Sequence, residues 1–178
     1  MSFAALAAVA VMVSAPMAAA QPREEPAPKV SVSLIAVRAT HQGHEERQFD
    51  RSIASIHETV EDLKQFDDFR QLRAVTTTAA YGEETKIPID ARYTLILKPV
   101  QRASHNRIRC NIRVDMRLEK EEDKSSSDDD DEPKFREVLR CTLLAVSDKP
   151  FKVGGLRLDE GLLVLILTLT DPQTNTDA

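Results

Sequence analysis

The chain has 178 residues, 24 basic and 29 acidic side chains, a net charge of −5, two cysteines and no tryptophan, a length that suits one domain of about 100 to 150 residues plus flanking segments. The charge is concentrated: residues 119–132, EKEEDKSSSDDDDE, hold nine acids and two lysines, a net of −7, so the remainder carries +2. A near-neutral folded part lacks the concentrated basic face that nucleic acid needs, which excludes nucleic acid as a partner.

Residues 1–20, MSFAALAAVAVMVSAPMAAA, have no charged side chain and end in Ala18, Ala19 and Ala20. They read as a secretory signal peptide cleaved before Gln21, which places the chain in the periplasm or outside the cell. Pro16 interrupts the apolar run well short of the about 20 residues a membrane helix needs, so no transmembrane segment is expected after cleavage. Residues 21–28, QPREEPAP, form a Pro-rich linker. A single domain is expected over 29–171, followed by a disordered tail at 172–178.

Val30, Val32 and Leu34 alternate with Ser31 and Ser33, the period of a strand, here placed at 29–39. HQGHEER (41–47) is a polar loop. Phe49, Ile53, Ile56, Val60, Leu63 and Phe66 then recur at intervals of three and four, the stripe of an amphipathic helix with Asp50 as its N-cap and Glu58, Glu61, Asp62 and Lys64 on its wet side. Strand-like segments follow at 69–78, 85–89, 93–100, 108–118, 135–146 and 162–170, with Ser104, His105 and Asn106 as a hairpin turn. Pro88 and Pro99 belong at strand ends or edges, because proline cannot donate to a ladder. The expected fold is α+β, one amphipathic helix packed on a mainly antiparallel sheet of about six strands. Residues 119–134 are a low-complexity acidic insertion too polar to bury surface, and disorder is expected there. LLVLILTLT (162–170) is too short for a membrane helix and reads as a central strand buried on both faces.

Candidate chemistry is sparse. Cys110 and Cys141 are an even count in a chain expected to be exported. Pairing them across two strands would set Ile112 beside Leu139 and Met116 beside Phe135, but also Val114 beside Glu137; a cross-strand disulfide and two buried thiols both remain open. Arg107, Arg109, Arg113 and Arg117 occupy alternate positions of one strand and project from a single face. That is the wet face of a half-buried strand, and as a site it would contact an anionic partner such as a polysaccharide or lipid head group. His41, His44 and Glu45 raise a metal site, but the histidines are three apart in a Gly-containing loop, whereas the zinc motif places them four apart on a helix. Asp128 to Asp131 lack the alternation and glycine of a calcium loop. Gly154 and Gly155 permit a bend and are not followed by the Lys-Ser/Thr of a phosphate loop. No serine sits in a nucleophile elbow. No catalytic residue, cofactor or metal ligand is assigned.

In order, the chain shows VSVSLIAV (30–37), a helix, TTTAAYGEETKIPI (76–89), YTLILKP (93–99), RIRCNIRV (107–114), TLLAVSDKPFKVGGL (142–156) and LLVLILT (162–168). This order resembles the C-terminal β-domain of bacterial secretins, the outer-membrane channels of secretion and pilus systems; short exported proteins of planctomycete-type bacteria are similar as well. The resemblance implies a secretin-like sheet. Ser31 and Ala36 stand where the family usually carries acids, and Lys149 follows Asp148 where it has glycine. The zone between Leu118 and Phe135 holds only the acidic run in place of lipid-facing strands, so pore formation is not implied.

The expected function is therefore an exported, non-enzymatic, β-rich module that binds another protein in the cell envelope, through an exposed strand edge. The alternative is a subunit of a secretin-like secretion or pilus assembly, and a second alternative is a metal-binding protein centred on His41 and His44.

Overall fold

A computed structural model describes residues 28–118 and 133–172. The expected signal peptide (1–20), all but the last residue of the expected linker (21–28), the acidic run 119–132 and residues 173–178 lie outside the described residues.

Strands β1 (Lys29–Thr40), β2 (Gln48–Phe49), β3 (Asp68–Ala80), β4 (Thr85–Pro88), β5 (Tyr93–Ala103), β6 (Arg107–Arg117), β7 (Phe135–Val146), β8 (Phe151–Leu158) and β9 (Gly161–Thr170) are joined by one 3-10 helix, Arg51–Val60. They form two sheets. Sheet I has the order β2-β3-β1-β9-β8, and sheet II runs β4-β5-β6-β7. Every pairing is antiparallel except the short one between β2 and β3.

The two sheets pack face to face. Val30, Val32, Leu34 and Ala36 of β1 and Leu163, Leu165, Leu167 and Leu169 of β9 meet Leu95 and Leu97 of β5 and Ile108, Cys110, Ile112 and Val114 of β6 in one core. Alternate residues of a strand point to opposite faces, so these sets are the inward halves of their strands. Fully burying an aliphatic side chain of this kind contributes about 1.5 to 3 kcal/mol, which makes this layer the main source of stability. The outward residues Val37, Ala39, Phe69, Val164 and Ile166 form a second core with Ile53, Ile56 and Val60 of the helix. β1 and β9 are thus covered on both sides around Val37, Ala39, Val164 and Ile166, whereas Ser31, Ser33, Thr168 and Thr170 stay half-exposed.

Two expectations are corrected. The α+β fold of about six strands in one sheet gives way to nine strands in two sheets among the described residues. Strands buried on both faces need a layer on each side; here sheet II supplies one and the helix the other. Nor is there an amphipathic α-helix across 49–66. The helix is a 3-10 helix of ten residues, and the chain beyond it continues in tight turns, Leu63 N–H to Val60 C=O (3.1 Å) and Phe66 N–H to Leu63 C=O (3.2 Å). Ile53 and Ile56, three apart, share a face at three residues per turn, and the β-branched Ile53, Ile56, Thr59 and Val60 with Ser52 and Ser55 are weak α-helix formers. Asp50 caps the helix by accepting the Ser52 N–H at 3.1 Å.

β8 contains Gly154 and Gly155, where the register with β9 slips between Gly154 and Leu156. Gly161, at φ +103°, opens β9, and a Cβ there would lie 2.2 Å from the Ala39 carbonyl oxygen, so that position admits only glycine.

Candidate functional site

One end of the sandwich is closed by a polar network. Asp171, just past β9, is 1% exposed. Its carboxylate accepts from Arg102 Nε and Nη2 of β5 (both 2.7 Å) and from the Tyr81 hydroxyl beyond β3 (2.7 Å), while its own N–H donates to Ser147 Oγ at 3.1 Å. Burial and the hydrogen bond to Asp171 push the Tyr81 phenol up to about 12. Asp148, in the left-handed region at φ +64°, accepts the Thr170 hydroxyl at 2.7 Å. These groups satisfy one another across both sheets, so the network serves as a clasp.

At the other end Asp67 organises the 41–47 loop. Its carboxylate accepts the N–H groups of Gln42 (2.7 Å), Gly43 (2.8 Å) and His44 (3.1 Å) and lies 2.9 Å from His41 Nδ1. The backbone hydrogen bonds, above all from Gln42, hold its pKa below the usual carboxylate range against the opposing effect of burial. His41 is therefore engaged with Asp67, His57 stacks obliquely on Phe49 at 4.4 Å, and His105 sits in the β5–β6 turn. Among the described residues no three His, Cys, Asp or Glu side chains group as a metal site.

The register of the cysteine strands is two residues away from the one the sequence suggested. Cys110 faces Leu143 and Cys141 faces Ile112, with a bulge between Val114 and Asp115 that leaves Val138 unpaired and sets Met116 beside Arg136. Both cysteines are free thiols on the inner face. They are diagonal neighbours, a placement that separates Cα atoms by about 7 to 8 Å, beyond the usual span of a disulfide. The register also resolves the clash of Val114 with Glu137: Val114 turns inward beside Leu139, and the bulge sets Glu137 outward beside Asp115.

The outer face of sheet II carries the arginine stripe, and no layer covers it among the described residues. Directly opposed residues on neighbouring strands share a face, so the pairings extend the stripe sideways. Lys98 lies beside Asn111 and Lys86 beside Ile96. Arg113 faces Arg140 across β6 and β7, a like-charge pair that neighbouring acids offset: Asp115 lies 3.2 Å from Arg113, Glu84 lies 3.9 Å from it, and Glu137 binds Arg140 through Nε at 2.9 Å. Around Arg107 and Arg109 the surroundings differ. Arg107 faces Val146 and Arg109 faces Leu144, with Gln101 on the other side of Arg109 and the bulge residue Val100 next to it. Leu144 is 43%, Val100 38% and Val146 37% exposed. Among the described residues neither arginine has an ion-pair partner. The stripe is therefore compensated at its middle, at Arg113 and Arg140, whereas Arg107 and Arg109 adjoin exposed aliphatic side chains and Arg117, at the far end, faces Phe135, 53% exposed. β7, the last strand of sheet II, has no strand on its other edge among the described residues, beside the Arg107 and Arg109 end.

No protein-family model and no curated protein matches this chain. Two solved structures resemble it. One is Aeromonas hydrophila ExeD, at TM-score 0.41 and 10% identity, covering 81% of this chain and 48% of that one. The other is the Klebsiella pneumoniae type II secretion system outer membrane complex of PulD, PulS and the PulC HR domain, at TM-score 0.42 and 12% identity, covering 82% of this chain and 40% of that one. The chain spans less than half the length of either. Among the described residues no helix is long and apolar enough to cross a membrane.

Sequence reading located the four arginines but not Leu144, Val146, Lys86 or Lys98 beside them, nor Tyr81, Arg102 and Asp171 as a unit. The alternation of Arg140, Thr142, Leu144 and Val146 along β7 is a visible signal for the first group. Neighbours set by strand pairing have no sequence signal of their own.

Proposed function

We propose that this chain is an exported, non-enzymatic β-sandwich module of the cell envelope that works by binding another protein on the outer face of sheet II. The observation that carries this reading is the contrast between the two sheets. The 3-10 helix covers one end of the outer face of sheet I, over Val37, Ala39, Phe69, Val164 and Ile166, whereas the outer face of sheet II has no such cover among the described residues and combines arginines with exposed Leu144, Val146 and Val100. Arginine set among apolar side chains is characteristic of protein interfaces. The polar clusters at the two ends of the sandwich are closed on themselves and offer no reacting group, which supports a binding role.

A photoreactive residue at Thr142 on this face and another at Glu58 on the helix test the reading in the producing cell. Covalent adducts with another protein are expected from position 142 alone; adducts from neither position, or equally from both, would reject it. The segment order shared with secretins supports a second reading, a subunit of an envelope secretion or pilus assembly. That reading requires a ring, and a monomeric mass by sedimentation in both buffer and detergent excludes it. The metal-binding alternative finds no third donor among the described residues and is not carried forward.

A further inference from the structure

We infer that the docking site is the Arg107–Arg109 end of sheet II together with the edge of β7, and that its occupant is an extended protein segment whose outer-face side chains, every second residue, are in turn aliphatic and acidic. This rests on the protein-binding reading above and names the chemistry of the partner.

The edges of the two sheets are not equivalent. β4 is four residues long, β2 shields the start of β3, and β8 is distorted by the slip at Gly154 and Gly155. β7 runs for twelve residues with β6 on one side and no strand on the other among the described residues. A strand edge presents a row of N–H and C=O groups that an extended segment can extend as a further strand. The remainder of β3 is also an edge and carries exposed Leu72, but its outward Thr76 and Thr78 offer no comparable apolar row. Only along β7 do exposed aliphatics, Leu144 and Val146, stand on the open face beside an unpaired backbone.

An added strand places every second side chain on the outer face. Aliphatic ones there would pack against Leu144 and Val146. Acidic ones would meet the guanidinium groups of Arg109 and Arg107, which stand on the adjacent strand, about 4.8 Å inward of β7. Arginine presents a planar fork that matches a carboxylate in two parallel hydrogen bonds, and neither arginine has a competing acid among the described residues. The compensated middle around Arg113 and Arg140 lacks that vacancy in charge and marks the limit of the site. A sugar or nucleobase would need aromatic platforms, and this face has none at the Arg107 end. An anionic bilayer would match the charge but offers no strand for the β7 edge.

The test uses the full chain and a ten-residue peptide with valine and glutamate in turn at every second position and threonine between them. Backbone NMR shifts are expected at residues 140–146 and at Arg107 and Arg109. Arg107→Glu with Arg109→Glu should weaken binding at least tenfold and create binding of the valine–lysine counterpart, with β9 resonances unmoved to show that the fold is kept. The same peptide methylated on alternate backbone nitrogens cannot join a ladder and should not bind. No binding of the valine–glutamate peptide, or shifts centred on β3 or β8, overturns the inference. Equal binding of the valine–lysine peptide by the unaltered protein removes the acidic preference but leaves protein docking on this face standing. Shifts on the same face with phosphatidylglycerol vesicles, and none with any peptide, overturn both the inference and the protein-binding reading.

Discussion

Replacing Tyr81 by phenylalanine isolates the clasp between the two sheets. The ring and its packing are kept, and the hydroxyl that donates to Asp171 at 2.7 Å is removed. A hydrogen bond to a charged group contributes about 1.5 to 3 kcal/mol. Arg102 still donates to both oxygens of Asp171, so the carboxylate is not orphaned and the lower part of that range applies, about 1.5 kcal/mol. For a chain of this size that lowers the Tm by about 3 to 6 °C. The pH dependence adds a second check. The Tyr81 phenol lies at about 12 in the folded protein against an ordinary 10, so its contribution is fully present below pH 10 and is lost as pH rises through about 12. The displacement corresponds to at most about 2.7 kcal/mol, and partial exposure of the ring brings it nearer 1 to 2 kcal/mol. Urea unfolding followed by far-UV circular dichroism should show wild type ahead of Tyr81→Phe at pH 7 and the gap narrowing at pH 11. Absorbance titration of Tyr93→Phe, which leaves Tyr81 as the sole tyrosine, should place the phenol well above 10. Equal stability at pH 7, a gap unchanged at pH 11, or ionisation near 10 would refute the reasoning.

Gly161→Ala should destabilise by about 3 kcal/mol or more, since a left-handed backbone and a collision with the Ala39 carbonyl act together; a urea midpoint equal to wild type would contradict that geometry. Thiol labelling should count two thiols per unfolded, unreduced chain. In the folded protein Cys110 should resist the reagent, because it is fully buried and burial pushes its thiol up to about 12; fast modification of Cys110 would place it outside the core. The Asp67 carboxyl is held below its ordinary value, so its stabilisation is present above the usual carboxylate range and is lost as pH falls through the lower folded value. Amide exchange at Gln42, Gly43 and His44 should therefore accelerate in strong acid, ahead of β1, and should be fast already at pH 7 in Asp67→Asn. Uniform exchange of the loop and β1 would mean that Asp67 does not hold the loop.

Much of this protein was legible one segment at a time. Val30, Val32 and Leu34 declared their strand by alternation, the charge-free run of β9 declared burial on both faces, and Ile53, Ile56 and Val60 are the residues the helix buries. A period of two tells which side chains share a face, because that is a property of the single extended chain. It does not tell which strand lies alongside. Whether seven strands or nine make one sheet or two, and whether Cys110 meets Cys141 or Leu143, depends on pairing and on a bulge beside Val114, and one slipped residue changes every neighbour beyond it. The Asp171 clasp joins residues 90 and 69 positions apart, and the mixed patch at Arg107 and Arg109 exists only because β7 lies against β6 in one register. Local periodicity decided the strands and their buried faces; tertiary pairing alone decided which charges found partners and which face stayed open, since both depend on groups distant in the chain.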